Sequence, residues 1–336
     1  MAVKGNDGGR FCVHIKNNRA GEMVFRTTPQ RYRDAEARHS DLAARVDAVI
    51  DWDLDNFHKS MATAHGLVTW DFPTEDLARR APNLKWIQII GAGVEHLAPV
   101  DWLPTGVALI NGRGIHTQRA SEYGLMAILM LHGNMPSFYT QQRDREYESI
   151  FATSIAGRTL GVIGVGGMGS GIAKQAKRMG LHVLGVRHHG NPARNVDEMF
   201  GPDGIDEVMR RADFVVVAVP TTPQTIGLID RRRIGLMKPT AGFVNLSRAP
   251  VVDYDALVER LEAGKLAGAI LDVFEPEPLP PESPLWTTRN LIITPHVSGD
   301  DDTAYVPRTL DLMFDNIGRS LNSKPLRNRV RPKLGY

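Results

Sequence analysis

Cysteine is nearly absent. Cys12 is the only one in 336 residues, which excludes an intramolecular disulfide and a CxxC metal site. Long apolar runs are missing too, since none approaches the ~20 residues that cross a bilayer. The start, MAVKGNDGGR, lacks the apolar core of a secretion signal. A cytoplasmic location with no membrane partner is therefore expected. Neither sign of charge prevails: 40 Lys and Arg against 38 Asp and Glu leave +2, so nucleic acid is not an expected partner. There is no HExxH and no cluster with zinc-ligand spacing, and no metal is expected. Internal repeats and linkers rich in Pro, Gly and Ser are also lacking. The clearest local bias is the end, KPLRNRVRPKLGY, five cations and no acid, which reads as a solvated tail.

What is present is alternation. From Thr159 to His296 short apolar runs (TLGVIGVG, HVLGVR, DFVVVAVP, AGFVNLS, LAGAILDVF, NLIITPH) are separated by amphipathic stretches such as GSGIAKQAKRM, IDEVMRRA and YDALVERLEAG. Near-continuous apolar strands between helices indicate a parallel sheet covered on both faces, the doubly wound α/β arrangement. Residues 11–112 repeat the pattern less cleanly in FCVHIK, GLVTW, LKWIQIIGAG and GVALING, with helical material in RDAEARHSDLAARV. A second, smaller α/β domain is expected there. After His296 the chain reads as one helix, TLDLMFDNIGRSL, and then the basic tail.

The segment GVIGVGGMGSGIA places Gly164, Gly166 and Gly169 as GxGxxG between a strand and a helix. The first glycine permits a tight turn, the second lets backbone approach a pyrophosphate, and the third lets helix pack on strand. The helix N-terminus then offers N–H groups and a positive dipole end to phosphates. A Walker-type loop is excluded, because Ser170-Gly171 follows Gly169 in place of Lys-Ser/Thr.

In an open α/β sheet the ligand crevice lies beyond the carboxyl ends of the strands. Arg187, Arg248, Asp272, Glu277 and His296 sit at or just after such ends, far apart in sequence yet expected to converge. The other histidines lack this placement. His296 differs because it ends a strand pattern, with Pro295 fixing its approach. Arg187, with His188 and His189 after it, stands where NAD-binding folds place an acid for the ribose hydroxyls. An arginine there can pair with a 2′-phosphate, so NADP(H) is the expected cofactor, with NAD(H) left open.

Together LKWIQIIGAGVEHL, NGRGIHTQRASEYGLMAILML, VIGVGGMGSGIA, LDVFEPEPLP and LIITPHVSG resemble the D-isomer-specific 2-hydroxyacid dehydrogenases. The resemblance implies a Rossmann domain over 116–298 and a smaller flavodoxin-like substrate domain made from 1–115 and 299–336, in a homodimer. It implies an Arg–Glu–His set on Arg248, Glu277 and His296. Arg248 would grip the substrate carboxylate, His296 would deliver the proton, and Glu277 would stabilise the charged ring. It extends the cofactor contacts to Gly167, Met168, Val219, Pro220, Thr225, Leu246 and Ser247 with His188, and sets Asp272 near the nicotinamide carboxamide. Backbone amides around Ala92, Gly93 and Val94 would meet the substrate with Arg248 and His296. The implied activity is reversible NAD(P)H-dependent reduction of a small 2-keto acid, glyoxylate- or hydroxypyruvate-like, to the D-2-hydroxy acid. A dinucleotide-sensing, corepressor-like binding protein on the same scaffold is the alternative. Two departures bear on the site: Ala249-Pro250 follows the arginine where the family usually has glycine, and SGDDDT carries three acids after the histidine.

Overall fold

In the computed structural model, which describes residues 10–331, the apolar runs form two all-parallel sheets. The chain divides into two compact units: residues up to His116 together with those from Asp301 onward, and Thr117–Asp300.

The first unit holds β1 (Phe11–Asn17), β2 (Val46–Trp52), β3 (Gly66–Thr69), β4 (Trp86–Ile89) and β5 (Ala108–Ile110). Their order, β2-β1-β3-β4-β5, is that of a flavodoxin-like sheet. The helix Tyr305–Leu321 belongs to this unit and buries Tyr305, Leu310, Met313, Phe314 and Ile317 with Phe11, Val13 and Trp86. The stretch RDAEARHSDLAARV is helical in two pieces, Pro29–Arg38 and Ser40–Ala43, broken at His39. Thr28 starts the first piece by accepting the Arg31 amide at 3.2 Å, with Pro29 following where no amide is needed. Strand β2 had no clear apolar run: VDAVIDW carries two acids, and it lies at the sheet edge.

The second unit holds β6 (Thr159–Ile163), β7 (His182–Val186), β8 (Glu198–Phe200), β9 (Phe214–Val217), β10 (Gly242–Asn245), β11 (Gly268–Leu271) and β12 (Leu291–Ile293). Read from the other edge, β12-β11-β10-β9-β6-β7-β8 is the Rossmann order with one further strand. Central strands are buried on both faces because helices cover both. Helices Thr117–His132 and Gly167–Arg178 pack Ile128, Leu131, Ile172 and Ala173 against one face, and Ile205–Arg211 and Tyr254–Glu262 pack Val208, Met209, Leu257 and Leu261 against the other. Each such aliphatic side chain contributes about 1.5–3 kcal/mol on burial. Strand β8 is a three-residue edge strand, too short to leave a period in the sequence. No helix among the described residues is long and apolar enough to cross a membrane.

Strand order reverses between β6 and β9, and the glycine turn lies at that point. Gly164 has φ +108, and a Cβ on it would come 2.6 Å from Ala218 O. A Cβ on Gly169 would lie 2.1 Å from Gly164 O and 2.9 Å from Val162 Cγ1. The close seat of the helix Gly167–Arg178 on β6 therefore needs a hydrogen at 169. Gly169→Ala is expected to lose about 2 kcal/mol or more, because the clash is with backbone that cannot swing away. A urea midpoint equal to wild type would show that the helix is not seated this closely.

Candidate active site

The carboxyl ends of β6, β9 and β10 face the turn that begins the helix Gly167–Arg178. Gly166 is its N-cap and offers no side chain to cap the first-turn amides, which have no partner within a helix. A Cβ built on Gly166 meets nothing within 4 Å. Gly164 and Gly169 are needed for the fold, whereas Gly166 opens onto free space beside a helix N-terminus. That open cradle fits the pyrophosphate of a dinucleotide. Gly167 and the half-buried Met168 follow in the same turn.

The other residues expected beside a cofactor fall on neighbouring loops of this unit. The Ser247 hydroxyl donates to Val219 O, Leu246 is buried and donates its amide to Val217 O at 3.0 Å, and both hold the β9 and β10 ends together. The Thr225 hydroxyl accepts the Thr222 amide at 2.8 Å and donates to Pro220 O at 2.7 Å, clasping its own loop. Arg187 follows β7 directly; its amide donates to Phe200 O at 3.1 Å and its guanidinium to Pro192 O at 2.8 Å. The exposed rings of His188 and His189 lie 4.6 Å apart. The acids nearest in sequence are committed to other partners, Asp197 to Lys177 and the Val183 amide, Glu198 to Arg211 and His182.

His296 Nδ1 lies 2.8 Å from Glu277 Oε2. A carboxylate only accepts, so Nδ1 carries the proton toward it and Nε2 is left to exchange a proton elsewhere. Glu277 Oε1 accepts the Phe274 amide at 2.8 Å, which fixes the carboxylate before it meets the ring. His296 sits at φ +54, a left-handed conformation that costs a non-glycine residue about 1–3 kcal/mol. Its amide donates to Thr294 O at 3.0 Å across Pro295, whose locked φ suits so tight a turn.

Asp272 holds this turn. It is fully buried, and its carboxylate accepts from Thr294 Oγ1 at 2.6 Å, Val297 N at 3.0 Å and Ser298 N at 2.9 Å. Since Thr294 donates to Asp272, the Tyr123 hydroxyl at 2.6 Å must donate to Thr294. Burial raises the Tyr123 phenol to about 12, so it stays a donor at any working pH. Asp272, expected beside the nicotinamide, thus spends three bonds on positioning the segment around His296.

Arg248 follows β10 on a turn fixed by Asn245. The fully buried Asn245 donates to Arg248 O at 3.2 Å and to Tyr254 OH at 2.9 Å, and accepts the Ser247 amide at 3.0 Å. Tyr254 OH then donates to Val273 O at 2.8 Å, beside Asp272. The Arg248 guanidinium donates to Ser247 O at 2.9 Å. Ala249-Pro250 opens a 3-10 turn, where proline needs no amide and its carbonyl accepts Gly227 N at 2.8 Å. Sequence reading passed over Tyr123, Asn245, Tyr254 and Thr294; only a polar residue inside an apolar strand, Asn245, left a signal. Ala92, Gly93 and Val94 lie in the first unit after β4, where Asn111 Nδ2 donates to Ala92 O at 2.8 Å.

Asp300 belongs to the same charged group. Burial pushes its carboxyl up from 3.8 to about 6; His296 opposes the rise, Asp272 adds to it, and Arg248 opposes it. A folded-state pKa above the unfolded one means the ionised form destabilises the fold, fully above pH 6 and not at all below about 4. Asp300→Asn should therefore stabilise the fold at pH 7.5 by about 1–2 kcal/mol after discounting for solvent screening, read as a higher Tm. The gain should fade between pH 6 and 4. Equal Tm values for variant and wild type at pH 7.5 would contradict this.

A family model described as D-isomer specific 2-hydroxyacid dehydrogenase, NAD binding domain, matches residues 125–298. The D-3-phosphoglycerate dehydrogenase of Methanocaldococcus jannaschii is 34% identical over 236 residues, 69% of this chain and 44% of its own length. The matched part of this chain thus spans under half of that relative. A D-isomer specific 2-hydroxyacid dehydrogenase from Xanthobacter autotrophicus, solved with NADPH and MES, superposes with a TM-score of 0.83 at 29% identity, covering 96% of this chain and 99% of its own. An NADPH-dependent glyoxylate/hydroxypyruvate reductase from Sinorhizobium meliloti, solved with NADP and sulfate, gives 0.79 at 27% identity, over 97% and 100%. With the model matched over more than half its residues, the chain belongs to the D-isomer specific 2-hydroxyacid dehydrogenase family.

Proposed function

We propose that the protein is an NADP(H)-preferring oxidoreductase that reduces a small 2-keto acid to the D-2-hydroxy acid, and runs the reverse reaction. The observation that carries this reading is the His296–Glu277 pair at 2.8 Å, held on a buried-acid turn within the unit that also bears the open glycine cradle. A bound reduced nicotinamide supplies the hydride. The chain's own residues do the rest. Arg248 presents a permanently charged planar fork suited to a carboxylate and its neighbouring carbonyl. His296 Nε2 gives a proton to the carbonyl oxygen as it becomes a hydroxyl, and takes it back in oxidation. Glu277, 2.8 Å from Nδ1, balances the charge on the ring. Glyoxylate and hydroxypyruvate are the favoured substrates, supported by the near-complete overlap with the Sinorhizobium reductase. The phosphoglycerate dehydrogenase relative overlaps over less than half its length.

The cofactor preference rests on Arg187 at the end of β7, with no acid from Arg187 to Gly190 to repel a 2′-phosphate. An assay of NADPH and NADH oxidation against both keto acids tests the proposal. His296→Ala should lower kcat by ~10²–10⁴-fold while leaving cofactor Kd near wild type; wild-type turnover in that variant would remove the proton-donor role. Arg187→Asp should raise KM for NADPH roughly tenfold and shift the ratio toward NADH, since one charge-assisted pair becomes a repulsion. A wild-type preference for NADH, or a ratio that does not move, would overturn the cofactor assignment.

A further inference from the structure

The turn after His296 carries a carboxylate that the reduction itself does not use. Val297 and Ser298 are pinned by their amides to Asp272, and the Asp300 amide closes back on Val297 O at 3.3 Å. Asp300 is thereby fixed on the same short turn as His296. Its half-buried side chain lies in the field of His296, Asp272 and Arg248. Asp272 turns its oxygens to the 294–298 turn, and Glu277 turns its own to Phe274 N and His296. Asp300 adds one more negative charge where a keto acid must set its own carboxylate against Arg248.

One substrate carboxylate is balanced by the Arg248 fork. A second anionic group meets Asp300 in a site where water is partly excluded, and like charges repel there more strongly than in bulk water. A hydroxyl, by contrast, can donate to it. We propose that Asp300 is a specificity-determining residue, admitting 2-keto acids whose C3 group is small and neutral or bears a hydroxyl, and turning away those whose C3 group carries a second negative charge. The inference rests on the dehydrogenase reading above and names its substrate class.

The test compares kcat/KM for hydroxypyruvate, its 3-phosphate ester and oxaloacetate with NADPH, in wild type, Asp300→Asn and Asp300→Glu. Wild type should favour hydroxypyruvate over both acids that carry a second anionic group by on the order of 100-fold. Asp300→Asn should narrow that gap about tenfold, and Asp300→Glu, which keeps the charge, should restore most of it. Lowering the pH from 8 to 5.5 should narrow the hydroxypyruvate-to-oxaloacetate ratio in wild type, as Asp300 takes up a proton, and leave it flat in Asp300→Asn. His296 serves both substrates alike, so its contribution cancels in the ratio. Tight NADPH binding by fluorescence shows in each case that the variant is folded. No turnover of any keto acid by wild type would overturn the dehydrogenase reading and this inference with it. Turnover with a ratio that Asp300→Asn does not move, or a wild-type preference for the phosphate ester, would overturn the inference alone.

Discussion

A buried carboxylate organises the candidate site. Asp272 stands at the end of β11 with no exposure, where an ionised acid is tolerated only if its lone pairs are filled. They are filled by Thr294 Oγ1 before His296 and by the amides of Val297 and Ser298 after it. Because each of these bonds has a preferred direction, the acid fixes the turn and not merely its distance from the strand. The same anchoring accommodates His296 in a left-handed conformation that an isolated segment would leave. Strain at one residue is offset by three bonds to a neighbour.

The sheet makes this arrangement economical. β10, β11 and β12 are adjacent and parallel, so their carboxyl ends emerge at one edge. Arg248 follows the first, Asp272 and Glu277 the second and His296 the third. Asn245, Tyr254 and Val273 O link the first two ends, and Tyr123 with Thr294 reaches from a covering helix to the third. Residues fifty positions apart become neighbours without any long loop having to order itself. The glycine turn uses the same edge farther along, where the strand order reverses.

Charge is the second organising term. The group holds two cations, Arg248 and His296 when protonated, against the carboxylates of Asp272, Glu277 and Asp300. Asp272 and Glu277 are committed to donors of the protein. Asp300 is kept reluctant to ionise by burial, which lifts its carboxyl to about 6.

The sequence by itself determined the layering. Runs such as DFVVVAVP and LAGAILDVF, with no polar alternation, can only be strands covered on both faces, and GVIGVGGMG can only be a sharp turn into a helix. Strand-end placement likewise singled out Arg248, Asp272, Glu277 and His296 in the sequence, whereas Arg187, expected to converge with them, ends β7 on the other side of β9 and β6. Edge strands were less legible: β8 is three residues long, and two acids interrupt β2, Asp47 exposed at the edge and Asp51 buried and satisfied by Asn56. What only the tertiary structure decided is how the group is wired. That Asp272 bonds to the turn around His296, that Tyr123 must donate to Thr294, and that Asn245 and Tyr254 hold the Arg248 turn all depend on which side chains meet across strands and helices. Hydrogen-bond partners whose separations run from 3 residues (Asn245 and Arg248) to 171 (Tyr123 and Thr294) leave no spacing to read, whereas burial of an apolar face repeats with every turn of the chain.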